Sequence, residues 1–179
     1  EESPIAFNPF YLAQGDVMDT EKRESIKTLL LALWKNDDES FRRSEYVALS
    51  NALKLYFEFL KVRVDIFPCF NSFYEFLQSG YVEELRRSGV AEADFGVASF
   101  LYVLSPYYRG GEFDYLLNAR ENLDLLSERF IVFELDQVKD HPILFPVITL
   151  IIMEVFISKM RKLKGIRKVI LLEEAWKAI

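Results

Sequence analysis

The spacing of apolar residues divides the chain into two kinds of sequence. Between residues 20 and 108 they recur every three or four positions, which is the period of an amphipathic helix. We expect Thr20 to cap the first helix of this block. The pattern predicts four consecutive helices: one from residue 20, one over 44–64, one from 71 or 72, and one from 92 or 94 to Pro106.

On both sides of this block the pattern favours extended structure. A short apolar segment at residues 5–7 is stopped by an Asn-Pro pair, which predicts a strand and a turn. Residues 129–136 predict a strand, 143–162 a long helix, and 168–172 a last strand buried on both faces. A strand, a helix and a strand in this order predict a βαβ unit, which requires a parallel sheet.

These elements predict the α/β fold class and a chain in three parts. Residues 1–19 begin an α/β core, residues 20–108 form an all-helical module inserted into it, and residues 109–179 supply its βαβ remainder. A nucleotide-binding core interrupted by a helical module accounts for this order.

Two acids, Glu173 and Glu174, come directly after the last predicted strand. Open α/β sheets bind their ligands at the carboxyl ends of their strands. In P-loop proteins that hydrolyse nucleotides, the first such acid holds the Mg²⁺ shell and the next orients the attacking water. The alternative is a core strand that runs into a helix start, where glutamate is favoured by the helix dipole. The residues alone leave both interpretations open.

Composition and charge restrict the partners. Half of the residues are apolar, with 16 Phe and 9 Tyr, so the chain can form a sizeable packed core and is not of a disordered type. The net charge of −6 is poorly suited to a phosphate backbone, so we expect no strong DNA binding. Basic residues at 159–168 are a local exception, and compensation of a helix dipole explains them more simply.

Two groups of aromatic residues stand too close together to share one helix face. Most of their rings must lie in the core, because a helix of this kind buries one face. We expect the remaining rings to form a contact surface for a partner protein. The two groups are Tyr56, Phe57 and Phe59, and Phe73, Tyr74 and Phe76.

Three further candidates for chemistry have simpler interpretations. Cys69 is the only cysteine, so no intrachain disulfide is possible, and its apolar neighbours predict a small buried residue. Asp136, Asp140 and His141 could be drawn as metal ligands, but a polar loop that caps the next helix is favoured. Residues 109–111 could be compared with a phosphate cradle, but a plain turn is favoured because the P-loop pattern is missing.

The apolar run at residues 143–153 is shorter than the ~20 residues that a membrane-spanning helix needs, and no signal peptide opens the sequence. Because the sequence lacks an initiator Met and residue 179 falls within a predicted helix, we expect a fragment of a larger protein, with a processed chain as the alternative.

Several of these segments together resemble a known family. Residues 130–136, the long helix that follows, and Lys-Val-Ile-Leu-Leu-Glu-Glu-Ala-Trp at 168–176 resemble the conjugation ATPases of type IV secretion systems, the TraG type in particular. Residues 5–10 and the helical stretch also fit, so the resemblance covers most of the chain. Its most specific part is the apolar strand followed by two acids and Ala-Trp.

The resemblance implies a partial RecA-like P-loop ATPase core with a parallel sheet and a large all-helical insertion. It places Glu173 at the Walker B position that holds Mg²⁺ and Glu174 at the catalytic acid that orients water. It implies ATP and Mg²⁺ as cofactors of the full-length protein, which forms a hexamer or similar ring. It also implies contacts with secretion channel components at the cytoplasmic side of the inner membrane, where the motor powers pilus assembly or transfer of DNA or protein.

The chain departs from the family pattern in two ways. Glu173 stands where the family usually has Asp, so the metal geometry must absorb one methylene group. No G-x-x-x-x-G-K-[ST] occurs in the sequence, and in the family this loop lies upstream of the first strand. We therefore expect half of a composite site, with no cofactor bound and no ATP hydrolysed by this fragment alone. The alternative function is a non-enzymatic helical interaction module on a small α/β base.

Overall fold

The computed structural model describes residues 6–12, 18–35, 41–83, 87, 95–122, 125, 127–171 and 173. The chain forms two compact units, Glu1–Asn122 and Leu123–Ile179, which are called unit 1 and unit 2. The sequence-based boundaries after residues 19 and 108 stay a prediction.

Unit 1 is built from helices that follow the predicted apolar periodicity. Its α-helices are α1 (Thr20–Trp34), α2 (Arg43–Val62), α3 (Phe70–Phe76) and α4 (Val97–Leu104). A π-helical turn, Leu77–Tyr81, continues α3, and a 3₁₀ turn, Ser105–Tyr107, continues α4. Helix α1 packs against α2 and α4.

The helix starts show how side chains replace missing backbone partners. Asp19, and not Thr20 as predicted, caps α1, because its carboxylate accepts a 2.8 Å hydrogen bond from the Lys22 amide. At the start of α2, the Glu45 carboxylate accepts a 2.7 Å bond from the Arg42 amide. An acidic group at a helix N-terminus also interacts favourably with the helix dipole.

Aromatic rings fill the core of unit 1. Phe10, Tyr56 and Phe73 form a triangle with centroid distances of 5.2–5.5 Å, and Trp34 makes edge contacts with two further rings. Tyr81 lies inside the same core, where its hydroxyl donates to the Ala48 carbonyl at 2.7 Å. Burial raises the pKa of Tyr81 to about 12.

Unit 2 contains one long helix among its described residues, α5 (Leu144–Lys162). His141 caps it, because Nδ1 accepts from the amides of Ile143 and Leu144 at 3.3 and 3.2 Å. Gly165, with φ of 77°, lies in the turn that follows the helix and takes the left-handed conformation that glycine tolerates. In the described part of the chain, no helix combines the length and apolar character needed to cross a bilayer.

The predicted α/β fold class is wrong for the described residues, which contain no β-strand and therefore no parallel sheet. Residues 130–135 and 166–171 have no regular secondary structure, so neither predicted strand forms. A helix makes its hydrogen bonds within its own segment, whereas a strand needs a partner that the local pattern does not specify. Residues 6–8, which include the described part of the first predicted strand, also have no regular secondary structure. The turn predicted after that strand is confirmed: residues 9 and 10 form it, and the Tyr11 amide donates to the Asn8 carbonyl at 3.2 Å.

The predicted burial of the last strand is wrong for the same reason. Val169 and Leu171 are each 82 % exposed, and Ile170 is 40 % exposed, because no neighbouring strand covers them in the described part of the chain. Leu172 lies outside the described residues.

Candidate functional site

Of the two predicted acids, the structure places Glu173 alone. Glu173 is exposed in a turn that follows residues 166–171, which have no regular secondary structure. Glu174 lies outside the described residues. The Mg²⁺ role of Glu173 and the water-orienting role of Glu174 both stay predictions.

The lysine that precedes these acids has a structural task. The Lys168 ammonium donates to the carbonyl of Ile166 at 2.9 Å and to the carbonyl of Leu163. Leu163 and Ile166 flank the turn at residues 164–165 that follows α5, so Lys168 stabilises this turn. The neighbouring Arg167 is exposed.

The turn at residues 109–111 does not offer a phosphate cradle. Its three backbone amides donate inward: Arg109 to the Asn71 side chain at 2.9 Å, Gly110 to the Asp114 carboxylate at 3.1 Å, and Gly111 to the Tyr108 carbonyl at 2.8 Å. A phosphate site needs amides that are free to point at the ligand. The interpretation as a plain turn is confirmed.

A surface cluster joins this turn to α3. Glu75 Oε1 accepts from the Tyr108 hydroxyl and from the Arg109 guanidinium, each at 3.0 Å. The ring of Tyr108 stacks on that of Tyr74 at a centroid distance of 4.3 Å. Desolvation and the bond to Glu75 raise the pKa of the Tyr108 hydroxyl. No sequence signal links Glu75 to Arg109, since the contact depends on tertiary packing.

A buried cation ties α1 to α2. The Lys27 side chain is 2 % exposed, and its ammonium donates to Glu24 at 2.6 Å and to Ser50 at 2.8 Å. It also lies 3.5 Å from the centroid of the Tyr46 ring, whose hydroxyl donates to Glu24 at 2.6 Å. Hydrogen bonds from Lys27 and Tyr46 lower the pKa of Glu24. The cluster satisfies its own polar groups and is structural.

The sequence contained a signal for this cluster that was missed. Lys27 falls on the apolar face of α1, three residues before Leu30 and seven before Trp34, both of which are buried. A lysine at such a position requires a buried partner.

No described group of His, Cys, Asp and Glu residues could hold a metal ion by itself. Asp136 pairs with Lys139 at 3.0 Å, and His141 caps α5 as the favoured interpretation predicted. Cys69 is buried and free, as predicted. No buried side-chain nitrogen or oxygen in the described residues lacks a partner, so none marks a further ligand site.

The prediction that some aromatic rings stay accessible is confirmed. In the two groups, Tyr56, Phe73 and Tyr74 are buried, whereas Phe57, Phe59 and Phe76 are partly exposed. Near them, the end of α2 and the chain that follows it expose three apolar side chains, Val62, Val64 and Phe67.

Comparison with known proteins gives one match. No curated protein and no solved structure matches the chain. The model of one protein family, described as the TraG P-loop domain, matches residues 1–179, which is the whole sequence. The chain therefore belongs to the TraG P-loop domain family.

Proposed function

We propose that this chain is part of an ATP-hydrolysing motor that powers transfer through a conjugative type IV secretion system. The observation that carries the proposal is the family match over residues 1–179. P-loop domains act on nucleoside triphosphates by positioning them and by neutralising the charge of the transferred phosphoryl group. ATP and Mg²⁺ are accordingly the proposed cofactors of the full-length protein.

In this proposal Glu173 holds Mg²⁺ and Glu174 orients the attacking water. The exposed carboxylate of Glu173 fits the ion, because Mg²⁺ prefers oxygen ligands and is usually held by one or two carboxylates, water and substrate phosphates. When bound, Mg²⁺ would neutralise charge on the phosphate oxygens. The phosphate loop is a separate requirement, since the sequence contains no G-x-x-x-x-G-K-[ST].

Replacement of Glu174 in the full-length protein tests this proposal. Glu174→Gln keeps the size of the side chain but removes its charge, so Mg-ATP binding should persist while turnover falls by roughly 10²- to 10⁴-fold. The control is Glu112→Gln, which removes an exposed carboxylate in unit 1 and should leave turnover unchanged. Turnover within a few-fold of the parent in Glu174→Gln would exclude Glu174 as the catalytic acid.

The fragment by itself should be inactive. Residues 1–179 hold the two proposed acids but no phosphate-binding loop of the P-loop pattern. Phosphate release by the purified fragment should therefore equal that of a buffer blank. Release that Glu174→Gln abolishes would show that the fragment binds the phosphates in another way.

We further propose that subunits of the motor form a hexamer or similar ring at the cytoplasmic side of the inner membrane, in contact with channel components. The apolar side chains at the end of α2 support a protein contact, because Val62 and Val64 are more than four-fifths exposed. Val62→Asp together with Val64→Asp should weaken ring formation or channel binding of the full-length protein. An exposed position on α2, tested as Lys54→Asp, is the matched control.

The second candidate function is a non-enzymatic interaction module. It is favoured by unit 1, which builds its own helical core and whose Arg109–Gly111 amides are occupied by internal acceptors. The two functions differ in the full-length protein: a module that only binds partners would show no ATP turnover sensitive to Glu174→Gln.

A further inference from the structure

Unit 1 is closed by a polar junction between its first and last described segments. Residues 6–11 are called the entry segment, and residues 116–122 the exit segment. The Asn8 amide donates to Asn122 Oδ1 at 2.7 Å, and Asn122 Nδ2 donates to the Asn8 carbonyl at 2.9 Å. The Asn122 side chain thus pairs with both backbone groups of a residue that stands 114 positions earlier.

Backbone bonds extend this pair along the two segments. The Phe7 amide donates to the Leu116 carbonyl at 2.9 Å, and the Ala119 amide donates to the Phe7 carbonyl at 3.3 Å. The two segments are therefore held by successive contacts rather than by a single one.

The same asparagine also fixes the loop before α3. Asn8 is fully buried, and its Nδ2 donates to the Pro68 carbonyl at 2.8 Å. Its Oδ1 accepts from the Phe10 amide at 2.9 Å. Phe10 in turn packs against Tyr56 and Phe73 in the aromatic core. Movement of the entry segment would break polar bonds in the buried interior, where unpaired groups are costly.

An amide side chain suits this junction because it carries an acceptor oxygen and a donor nitrogen on separate atoms. Asn122 must accept one hydrogen bond and donate another, whereas aspartate can only accept and an aliphatic residue can do neither. Closing a loop of this length costs conformational entropy, so a lasting contact between its ends needs several bonds that form together.

We propose that Asn8 and Asn122 form a clamp that makes the entry and exit segments one cooperative element, so that displacing either segment displaces the other. Asn122 is the last residue of unit 1, which places the clamp where the chain passes to the next unit. Strain on the exit segment would thereby reach the entry segment and the loop before α3. This inference does not depend on ATP hydrolysis.

Amide hydrogen exchange, resolved residue by residue in the chain of residues 1–179, tests the clamp. Asn122→Ala should speed exchange at Asn8 by about tenfold, the order expected when a net hydrogen bond is lost. A clamp also predicts faster exchange at Phe7 and Ala119, whose amides Asn122 does not contact. The matched control is Asn51→Ala at an exposed position of α2, which should change none of the three.

A second variant separates the clamp from general destabilisation. Asn122→Asp keeps the acceptor for the Asn8 amide but loses the donor to the Asn8 carbonyl, and it should also deprotect Phe7 and Ala119, by less than Asn122→Ala. Exchange in the middle of α2 should stay within about twofold of the parent in Asn122→Asp. If exchange rises only at Asn8, or at none of the three amides, or equally throughout α2 in Asn122→Asp, the clamp is refuted.

Discussion

The two units differ in where their hydrogen bonds and apolar contacts come from. Unit 1 obtains both from within itself: its helices bond internally, and rings such as Tyr56 are completely buried. Unit 2 has one long helix among its described residues, whereas residues 130–135 have no regular secondary structure and leave Phe130 85 % exposed and Val132 68 % exposed. The difference reflects where backbone hydrogen bonds are made. A helix makes them within its own residues, whereas a strand depends on a partner elsewhere.

The largest effect that this comparison predicts is on stability when one aromatic ring is removed from each unit. Tyr56→Ala removes a ring that touches Phe10 and Phe73, together with a hydroxyl bonded to Ser72 at 2.6 Å. Aromatic truncations in a core cost about 3–5 kcal/mol. Phe130→Ala should change stability by no more than about 0.5 kcal/mol, because the ring is already exposed.

Urea denaturation, followed by the circular dichroism of the helices, measures the stability of both variants. Hydrogen exchange at α2 amides shows whether unit 1 is the unit that is destabilised. Equal destabilisation by Tyr56→Ala and Phe130→Ala would contradict the contrast between unit 1, where the ring of Tyr56 is buried, and unit 2, where the ring of Phe130 is exposed.

A smaller effect on stability is expected at the turn of residues 109–111. A Cβ at Gly111 would lie 2.3 Å from the Pro106 carbonyl oxygen and 2.8 Å from that of Ser105. Both are backbone atoms that cannot rotate away, so Gly111→Ala should cost about 1–3 kcal/mol, as overpacking typically does.

The neighbouring glycine supplies the control for that substitution. Gly110 has φ of 80° with open space around its Cβ position, so Gly110→Asn should strain the backbone but cost less than Gly111→Ala, since asparagine adopts this backbone region more readily than most residues. The same urea denaturation measures both variants. A larger loss for Gly110→Asn than for Gly111→Ala would show that backbone conformation, and not close contact, limits the turn.

The helices could be read from the sequence because their information is local. The periodic apolar residues predicted α1 and α2 closely, and only the cap of α1 was assigned to Thr20 instead of its neighbour Asp19. The sheet prediction was wrong because β-branched and aromatic residues at 129–135 and 166–171 favour an extended backbone without naming the strand that must pair with it.

The residues of the candidate site also fall into two groups: those that a local sequence pattern predicts, and those that only tertiary packing brings together. The acids Glu173 and Glu174 could be proposed from their position after an apolar run, which is a local feature. The contact between Glu75 and Arg109 and the reciprocal bonds between Asn8 and Asn122 join residues far apart in sequence. One sequence without its packing gives no indication of such pairs.

Acid should weaken unit 1 through its buried carboxylate. Burial raises the pKa of Glu45, but bonds from the Arg42 amide and the Lys35 ammonium outweigh it, so the pKa lies below its usual value of 4.5. A lowered folded-state pKa gives stability that is present above 4.5 and is lost as pH falls through the folded value.

The urea midpoint of unit 1 should therefore fall between about pH 5 and pH 3, a shift smaller than the effect of Gly111→Ala. Glu45→Gln should reduce the slope of that dependence, whereas Glu112→Gln, at an exposed position, should leave it unchanged. An unchanged slope in Glu45→Gln would assign the acid sensitivity to other carboxylates.

The smallest expected effect concerns DNA and the basic residues of unit 2. Two of these residues already serve the fold: the Lys159 ammonium donates to the Leu125 carbonyl at 2.6 Å, and the Lys168 ammonium donates to the Ile166 carbonyl. Non-specific DNA binding requires several phosphates to be neutralised together, and the net charge of −6 opposes it.

We expect a dissociation constant weaker than about 10⁻⁴ M at physiological salt. Replacing the exposed Lys164 and Arg167 by Gln should then change nothing measurable in a titration with labelled single- and double-stranded DNA at about 0.15 M salt. Micromolar binding that weakens with salt and is lost in this double variant would show that the basic end of unit 2 binds nucleic acid, in contrast to a purely structural role.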